Sequence, residues 1–143
     1  MKVSSILDGK RAETVKPTAT IKELVEKLAA MKIGALVVSS DGKSIEGIVS
    51  ERDIVQSMPK NFENFQNLHV RDIMTVNVMT CTKDATFAEL MVLMTQKRIR
   101  HVPIVDSSGS LVSIVSIGDV VKNHISEIDG ERNALIDYVK SSG

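Results

Sequence analysis

The chain has 143 residues, 43% of them hydrophobic and 3% aromatic, enough apolar material for one compact domain or for two half-sized units that complete one another. Its 18 basic residues balance 18 acidic ones, which removes the electrostatic case for nucleic acid or an anionic membrane surface. The single cysteine, Cys81, excludes an internal disulfide framework; with no charged-then-apolar opening and no apolar run near the ~18 residues of a membrane span, a cytoplasmic protein is expected.

In chain order, Val3-Ser4-Ser5-Ile6-Leu7 is a short leader. Thr20-Ile21-Lys22-Glu23 is a capping box, the Thr and Glu side chains each closing one orphan amide at a helix start. Behind it Ile21, Leu24, Val25 and Leu28 fall at i, i+3, i+4 and i+7, the spacing of one apolar helical face. Ala35-Leu36-Val37-Val38 reads as a strand, Ser39-Ser40-Asp41-Gly42 as its turn, and residues 45–49 as the return strand. A second helix is expected after Ser50, and residues 59–67, polar but carrying Phe62 and Phe65, read as a linker with one helical turn.

The pattern then starts again. Val70-Arg71-Asp72-Ile73-Met74 repeats the leader, and Cys81 opens an apolar stretch, where a buried, inert thiol is expected rather than a reactive one. Thr86-Phe87-Ala88-Glu89 is a second capping box, backed by Phe87, Leu90, Met91 and Met94 at helical spacing. Val102-Pro103-Ile104-Val105 is a strand whose proline cannot donate to a ladder, which predicts an edge position or the opening of a cleft. Asp106-Ser107-Ser108-Gly109 turns the chain into a strand over 111–115, and a helix follows Ser116. After Gly130, Leu135, Ile136 and Val139 mark a helical tail whose apolar face needs a partner surface, its own core or a second subunit.

This recurrence is a duplication. Residues 15–55 overlay residues 81–121 at a constant offset of 66, with identities at Ala19, Thr20, Glu23, Leu24, Ile33, Ser44, Ile48, Val49, Ser50, Asp53 and Val55. The leaders repeat at an offset of 67. Each unit reads strand–helix–strand–strand–helix.

The repeat carries two copies of one polar pair, Ser50 with Asp53 and Ser116 with Asp119. Either pair alone reads as a helix cap with a carboxylate in the first turn. Two copies leaving equivalent apolar strands favour a shared use: amides at a helix start suit phosphate, and the Asp suits the hydroxyls of a sugar diol. Arg100 and His101 precede the second unit's proline-containing strand, where the first unit has Gly34 and Ala35. They are a solvated helix end or a phosphate contact, whereas Lys97 and Arg98 are expected only to finish a helix. Arg52, aligned with Gly118, reaches a phosphate or is merely solvated. His69 and His124 have no partner at metal-ligand spacing, so structural or surface roles are expected. No nucleophile–base pair, P-loop or dinucleotide fingerprint occurs, and catalysis is not expected.

A tandem β-α-β-β-α repeat closing on Gly-hydrophobic-hydrophobic-Ser-x-x-Asp resembles the cystathionine-β-synthase (CBS) domain. Val70-x-Asp72-Ile73-Met74-Thr75 is similar to that family's entry into a second repeat, and His101-Val102-Pro103-Ile104-Val105-Asp106 to its strand signature. The resemblance implies an α/β (α+β) Bateman module of two units about a pseudo-twofold axis: unit 1 at 1–58, a linker at 59–69, unit 2 at 70–128 and a helical tail at 129–143. It implies a homodimer that binds AMP or NAD(H), with ATP, ADP or S-adenosylmethionine as further candidates and no metal required. Asp53 with Ser50 and Asp119 with Ser116 would hold ribose; Arg100 and His101 would meet phosphate; backbone and apolar atoms around Thr18, Ala35 to Val37, Thr82 to Asp84, and Val102 and Pro103 would line the adenine pockets, with Gly34 and Arg52 as further candidate site residues. The sequence departs from the pattern at Ser113, in place of Gly, at Val37, in place of Pro, and at Gly34-Ala35, which lack basic side chains. The second cleft is therefore expected to be the better phosphate site, the first binding weakly, staying empty or holding part of a longer ligand. The functional expectation is a regulatory sensor of cellular nucleotide state that acts on an unidentified partner protein. The alternatives are a structural dimer with vestigial clefts and, last, a small nucleotide-processing enzyme.

Overall fold

The computed structural model describes residues 1–9 and 12–142. Two three-stranded sheets form, each with the same topology. In unit 1, β1 (Thr14–Val15), α1 (Ile21–Met31), β2 (Ala35–Val38), β3 (Gly47–Ser50) and α2 (Glu51–Asn61) give the order β1-β2-β3. In unit 2, β4 (Cys81–Thr82), α4 (Phe87–Lys97), β5 (His101–Val105), β6 (Leu111–Ser116) and α5 (Ile117–Ser142) give β4-β5-β6, while α3 (Val70–Ile73) lies between the units. In both sheets the first pairing is parallel and the second antiparallel. This is the mixed α/β tandem repeat that the sequence predicts.

The capping Thr residues work as expected, with one difference. Thr86 accepts from the Glu89 amide at 3.1 Å and Glu89 reaches back to the Thr86 amide at 3.3 Å, a complete box. Thr20 accepts from the Glu23 amide at 3.1 Å, but the return half is absent, so the first box is half formed. Both helices end on a non-glycine residue in the left-handed region, Lys32 (φ 55°) and its repeat equivalent Arg98 (φ 54°). Ile21, Leu24 and Leu28 are buried on α1, as are Phe87, Leu90 and Met94 on α4; Val25, expected on the apolar face, is 42% exposed.

Three expectations need correction. The return strand starts at Gly47 rather than at 45, because Asp41 Oδ1 accepts from the Lys43 and Ser44 amides at 2.8 Å each and curls the loop first. The linker read at 59–67 with one helical turn is helical throughout: α2 carries Pro59 in its last turn and a 3-10 helix follows directly, Phe62–Asn67. Pro103 sits in the central strand of its sheet, not at an edge. The register explains its tolerance. The Ile117 amide donates to Arg100 O at 2.8 Å, so Val102 and Val115 form the ladder-bonded pair and Pro103 faces Ile114 at a position that needs no amide toward β6. On the other side, β4 begins its pairing only at Ile104. The tail is a continuation of α5, one 26-residue helix in which Gly130 is an interior position; of the expected tail at 129–143, Gly143 lies outside the described residues.

The leaders are exchanged between the units. Val3, 0% exposed, belongs to the unit 2 core with Phe87, Leu90, Met94 and Val102; Val70, also 0% exposed, belongs to the unit 1 core with Ile21, Leu24, Leu36 and Val49. The exchange is fixed by equivalent backbone bonds, Val3 N to Ala85 O at 2.8 Å and Val70 N to Ala19 O at 2.9 Å. Burying each valine contributes roughly 1.5–3 kcal/mol to the opposite half. Neither core is complete without the other unit's leader.

Candidate functional site

Each second helix starts from a strand end held in one geometry. In unit 1 the Ser50 amide and hydroxyl both donate to Asp53 Oδ2, at 2.8 and 3.0 Å, and the Asp53 amide donates to Ser50 Oγ at 3.3 Å. The Glu51 amide is taken by Gly34 O at 2.9 Å. Of the four amides that a helix start leaves open, only that of Arg52 has no partner among the described residues. Unit 2 repeats this: the Ser116 amide and hydroxyl donate to Asp119 Oδ2 at 3.2 and 2.9 Å, the Asp119 amide to Ser116 Oγ at 3.2 Å, and the Ile117 amide to Arg100 O at 2.8 Å. The capping reading of both pairs is correct. It does not exhaust them, because all these bonds use Oδ2 and leave each Oδ1 available as an acceptor, with one unpaired amide beside it.

A cleft of about 350 Å³ lies at the start of α2. Its lining includes Gly34, Ala35, Ser50, Arg52 and Asp53 from unit 1, and Arg98, Ile99, Arg100 and His101 from unit 2. Asp53 is half-buried at one side. The Arg52 guanidinium donates to the backbone carbonyl of Arg98 at 3.5 Å, which ties this unit 1 side chain to unit 2 across the cleft. Ile48, Val78 and Met79 supply apolar wall, and Gln56, Thr75 and Asn77 polar wall.

This changes where the basic residues belong. The sequence reading associates Arg100 and His101 with the Ser116–Asp119 pair and leaves the first cleft without cations. In the fold both residues also line the cleft with Ser50 and Asp53. His101 stands opposite Ser116 in the β5–β6 register, while its ring lies over Gly34: a Cβ built on Gly34 would meet His101 Cε1 at 3.4 Å and Glu51 Cδ at 3.7 Å. Gly34-Ala35, which looked like the absence of a phosphate site, is the space that the other unit's His101 occupies. Burial pushes the His101 imidazole below its ordinary pKa; the carboxylates of Glu51 and Asp119 pull it up, and Arg100 adds to the lowering.

The remaining predicted residues divide. Val37, Val102 and Pro103 are buried within their sheets. Thr18 is exposed and lines a second, polar depression with Thr14, Lys27, Ser39 and Asp41. Thr82 and Asp84 are exposed at the β4 end, where Asp84 pairs with Lys2 at 3.7 Å. Sequence reasoning missed Ile48, Glu51, Gln56, Thr75, Asn77, Val78, Met79, Arg98 and Ile99. The signal for Thr75 to Met79 was the repeated leader, since these residues follow it directly; the signal for Arg98 was its alignment with Lys32. Cys81 is half-buried, and burial with the nearby Glu89 carboxylate pushes its thiol up, which suits an inert role. His69 lies 3.8 Å from Asp72, and no group of three metal-binding side chains occurs among the described residues. No described helix is long and apolar enough to cross a membrane.

Comparison with known proteins agrees with this architecture. The family model of the CBS domain matches twice, over residues 3–60 and 70–125. An uncharacterized protein of Methanopyrus kandleri is 35% identical over 109 residues, which is 76% of this chain and 56% of that protein. The chain thus spans little more than half the length of the first curated relatives it matches. Among solved structures, a CBS-domain containing protein from Agrobacterium tumefaciens has a TM-score of 0.80 at 39% identity, covering 87% of this chain and 99% of that one. The CBS domain pair of protein MJ0100, crystallised with 5′-methylthioadenosine and S-adenosyl-L-methionine, has a TM-score of 0.77 at 25% identity, covering 89% and 98%.

Proposed function

Because this chain belongs to the CBS domain family and holds two of its units in tandem, we propose that it is a non-catalytic regulatory module that senses nucleotide state by binding an adenosine-containing ligand between the units. AMP and NAD(H) are the first candidates, followed by ATP, ADP and S-adenosylmethionine, with no metal required. The observation that carries this reading is the convergence of Asp53, Arg52, Arg98, Arg100 and His101 on one cleft of about 350 Å³, within the range of small-ligand sites. Asp53 Oδ1 accepts from the ribose hydroxyls. The Arg52 amide and the guanidinium groups take phosphate, since charge-assisted bonds at a helix start suit an anion. The apolar wall of Ile48, Val78 and Met79 receives the base. The adenosine ligands of the MJ0100 pair support the ligand class. The second Ser-x-x-Asp pair, Ser116 with Asp119, is the corresponding ribose site of unit 2.

Signalling follows if the ligand favours one arrangement of the two units, because a ligand shifts an equilibrium only by its difference in affinity for the two states. The cleft draws on both units, so filling it bears on their relative placement. A partner protein then reads the change. The same reading includes a homodimer, supported by large apolar side chains left exposed after α2 and along α5, Phe62 at 72% and Ile128 at 49%, and a cytoplasmic location, which fractionation checks.

Thermal unfolding with AMP, ATP, NAD, NADH and S-adenosylmethionine tests the binding. A true ligand at a hundredfold its Kd adds about 2.7 kcal/mol. Asp53→Ala, with its fold verified by circular dichroism, should lose that shift. No stabilisation by any of these compounds would leave the structural dimer with vestigial clefts as the better account.

A further inference from the structure

We propose that the end of α5 is a pairing surface for a second copy of this chain, the two helices lying antiparallel with Arg132 of each seated beside Asp129 and Glu131 of the other. The family match ends at residue 125, whereas α5 continues to Ser142, about 26 Å further. This extension packs on neither core: residues 128–141 are all exposed. Its sequence is nevertheless ordered around the helix. Ile125, Ile128, Arg132, Leu135 and Ile136 fall within an arc of about 100° at the α-helical period. Ile125, Ile128 and Leu135 are 53%, 49% and 64% exposed. With Arg132 they occupy alternating three- and four-residue steps, the a and d positions of a helix-pairing seam.

The charge pattern decides the partner and the orientation. A parallel in-register pair would set Arg132 against Arg132 across the seam. An antiparallel pair centred on residue 130 sets Ile125 against the partner's Leu135 and Arg132 against the partner's Ile128. Arg132 then lies next to the partner's Asp129 and within reach of the partner's Glu131, the carboxylates that flank the stripe. One cation in the seam and two anions beside it make this surface complementary to itself, as a twofold interface requires. A charged residue at a seam position costs stability but fixes register and direction. The inference deepens the homodimer reading by naming its surface, and the test separates the two.

Sedimentation equilibrium on the full chain provides that test. The wild-type protein should dimerise, Leu135→Asp and Arg132→Glu should each weaken the dimer at least tenfold, and Arg132→Glu combined with Asp129→Lys and Glu131→Lys should restore it. A dimer unmoved by Leu135→Asp and Arg132→Glu would overturn the tail assignment while leaving the homodimer standing; a wild-type chain monomeric at all concentrations would overturn both. Orientation is read by oxidising cysteine variants in a Cys81→Ser background. A mixture of Ile125→Cys and Leu135→Cys chains should form the mixed disulfide. Efficient self-crosslinking of Ile128→Cys instead would mean parallel helices and would refute the proposal.

Discussion

The ring of His101 in unit 2 lies over Gly34 in unit 1, with 3.4 Å between its Cε1 and the position a Gly34 side chain would first occupy. Gly34 does not have a positive φ, so the backbone does not require glycine, and the imidazole limits only side chains larger than a methyl group. Gly34→Ala should therefore fold with a change of no more than about 1 kcal/mol, since 3.4 Å is ordinary contact. Gly34→Val should displace the imidazole and narrow the cleft. Nucleotide affinity, measured by titration calorimetry, should be near wild type in the first variant and at least tenfold weaker in the second. Equal affinities in wild type and Gly34→Val would remove this wall from the binding site.

The same imidazole predicts a pH dependence. Burial holds its pKa down against Glu51 and Asp119, with Arg100 reinforcing the burial. The unfolded chain takes up the proton near the ordinary value of about 6.5 and the folded chain only at lower pH. Between those limits the unfolded state binds more protons, so folding stability should fall as pH drops below about 6.5. His101→Gln should flatten that part of the curve. A phosphate bound beside the ring raises its pKa, so nucleotide binding should take up a proton and tighten from pH 7.5 toward 6 in wild type but not in His101→Gln. Calorimetry in two buffers of different ionisation enthalpy measures the proton directly.

Local devices were legible in the sequence because one short window contains them. Thr86 with Glu89, Ser50 with Asp53 and the turn at Asp41 are each complete within four residues, and the offset of 66 showed that they occur twice. The repeat even exposed the leaders, Val3 and Val70, as equivalents. It could not show that they are exchanged, because two similar cores accept either leader and hydrophobic pattern carries no address. The assignment of Arg100 and His101 to the second cleft alone was incomplete for the same reason. Proximity along the chain put them with Ser116, while packing across the pseudo-twofold puts them also with Ser50 and Asp53. Arg98 was taken for a helix end, which it is; its left-handed φ of 54° also turns the chain where it can line the cleft.

Exchange of the leaders gives a prediction of location as well as size. Val3→Ala and Val70→Ala each remove two buried methyl groups from a site that is 0% exposed, at a cost of about 2 kcal/mol. In hydrogen exchange, Val3→Ala should loosen α4 and β5, and Val70→Ala should loosen α1 and β2. The opposite pattern, with each valine protecting the unit that follows it in the chain, would refute the exchange.

Gly47 tests the seam where the second leader meets β3. A Cβ there would stand 2.8 Å from Met74 Sδ and 2.9 Å from Thr75 O. The methionine can move, but the carbonyl cannot do so cheaply: Thr75 O accepts from the Ile48 amide and the Thr75 amide donates to Ile48 O, both at 2.9 Å. Gly47→Ala must stretch that bonded pair and should destabilise the protein by about 1–3 kcal/mol, as overpacking does. Urea unfolding should show a lower midpoint with an unchanged slope. Thr75, Asn77, Val78 and Met79 form a wall of the cleft, so the displaced segment should carry that wall with it and weaken nucleotide binding as well. At the aligned position in unit 2 the chain carries Ser113, and Ser113→Ala should cost far less. If Gly47→Ala matched the wild type in both midpoint and affinity, the close approach of the second leader to β3 would not be what holds that wall in place.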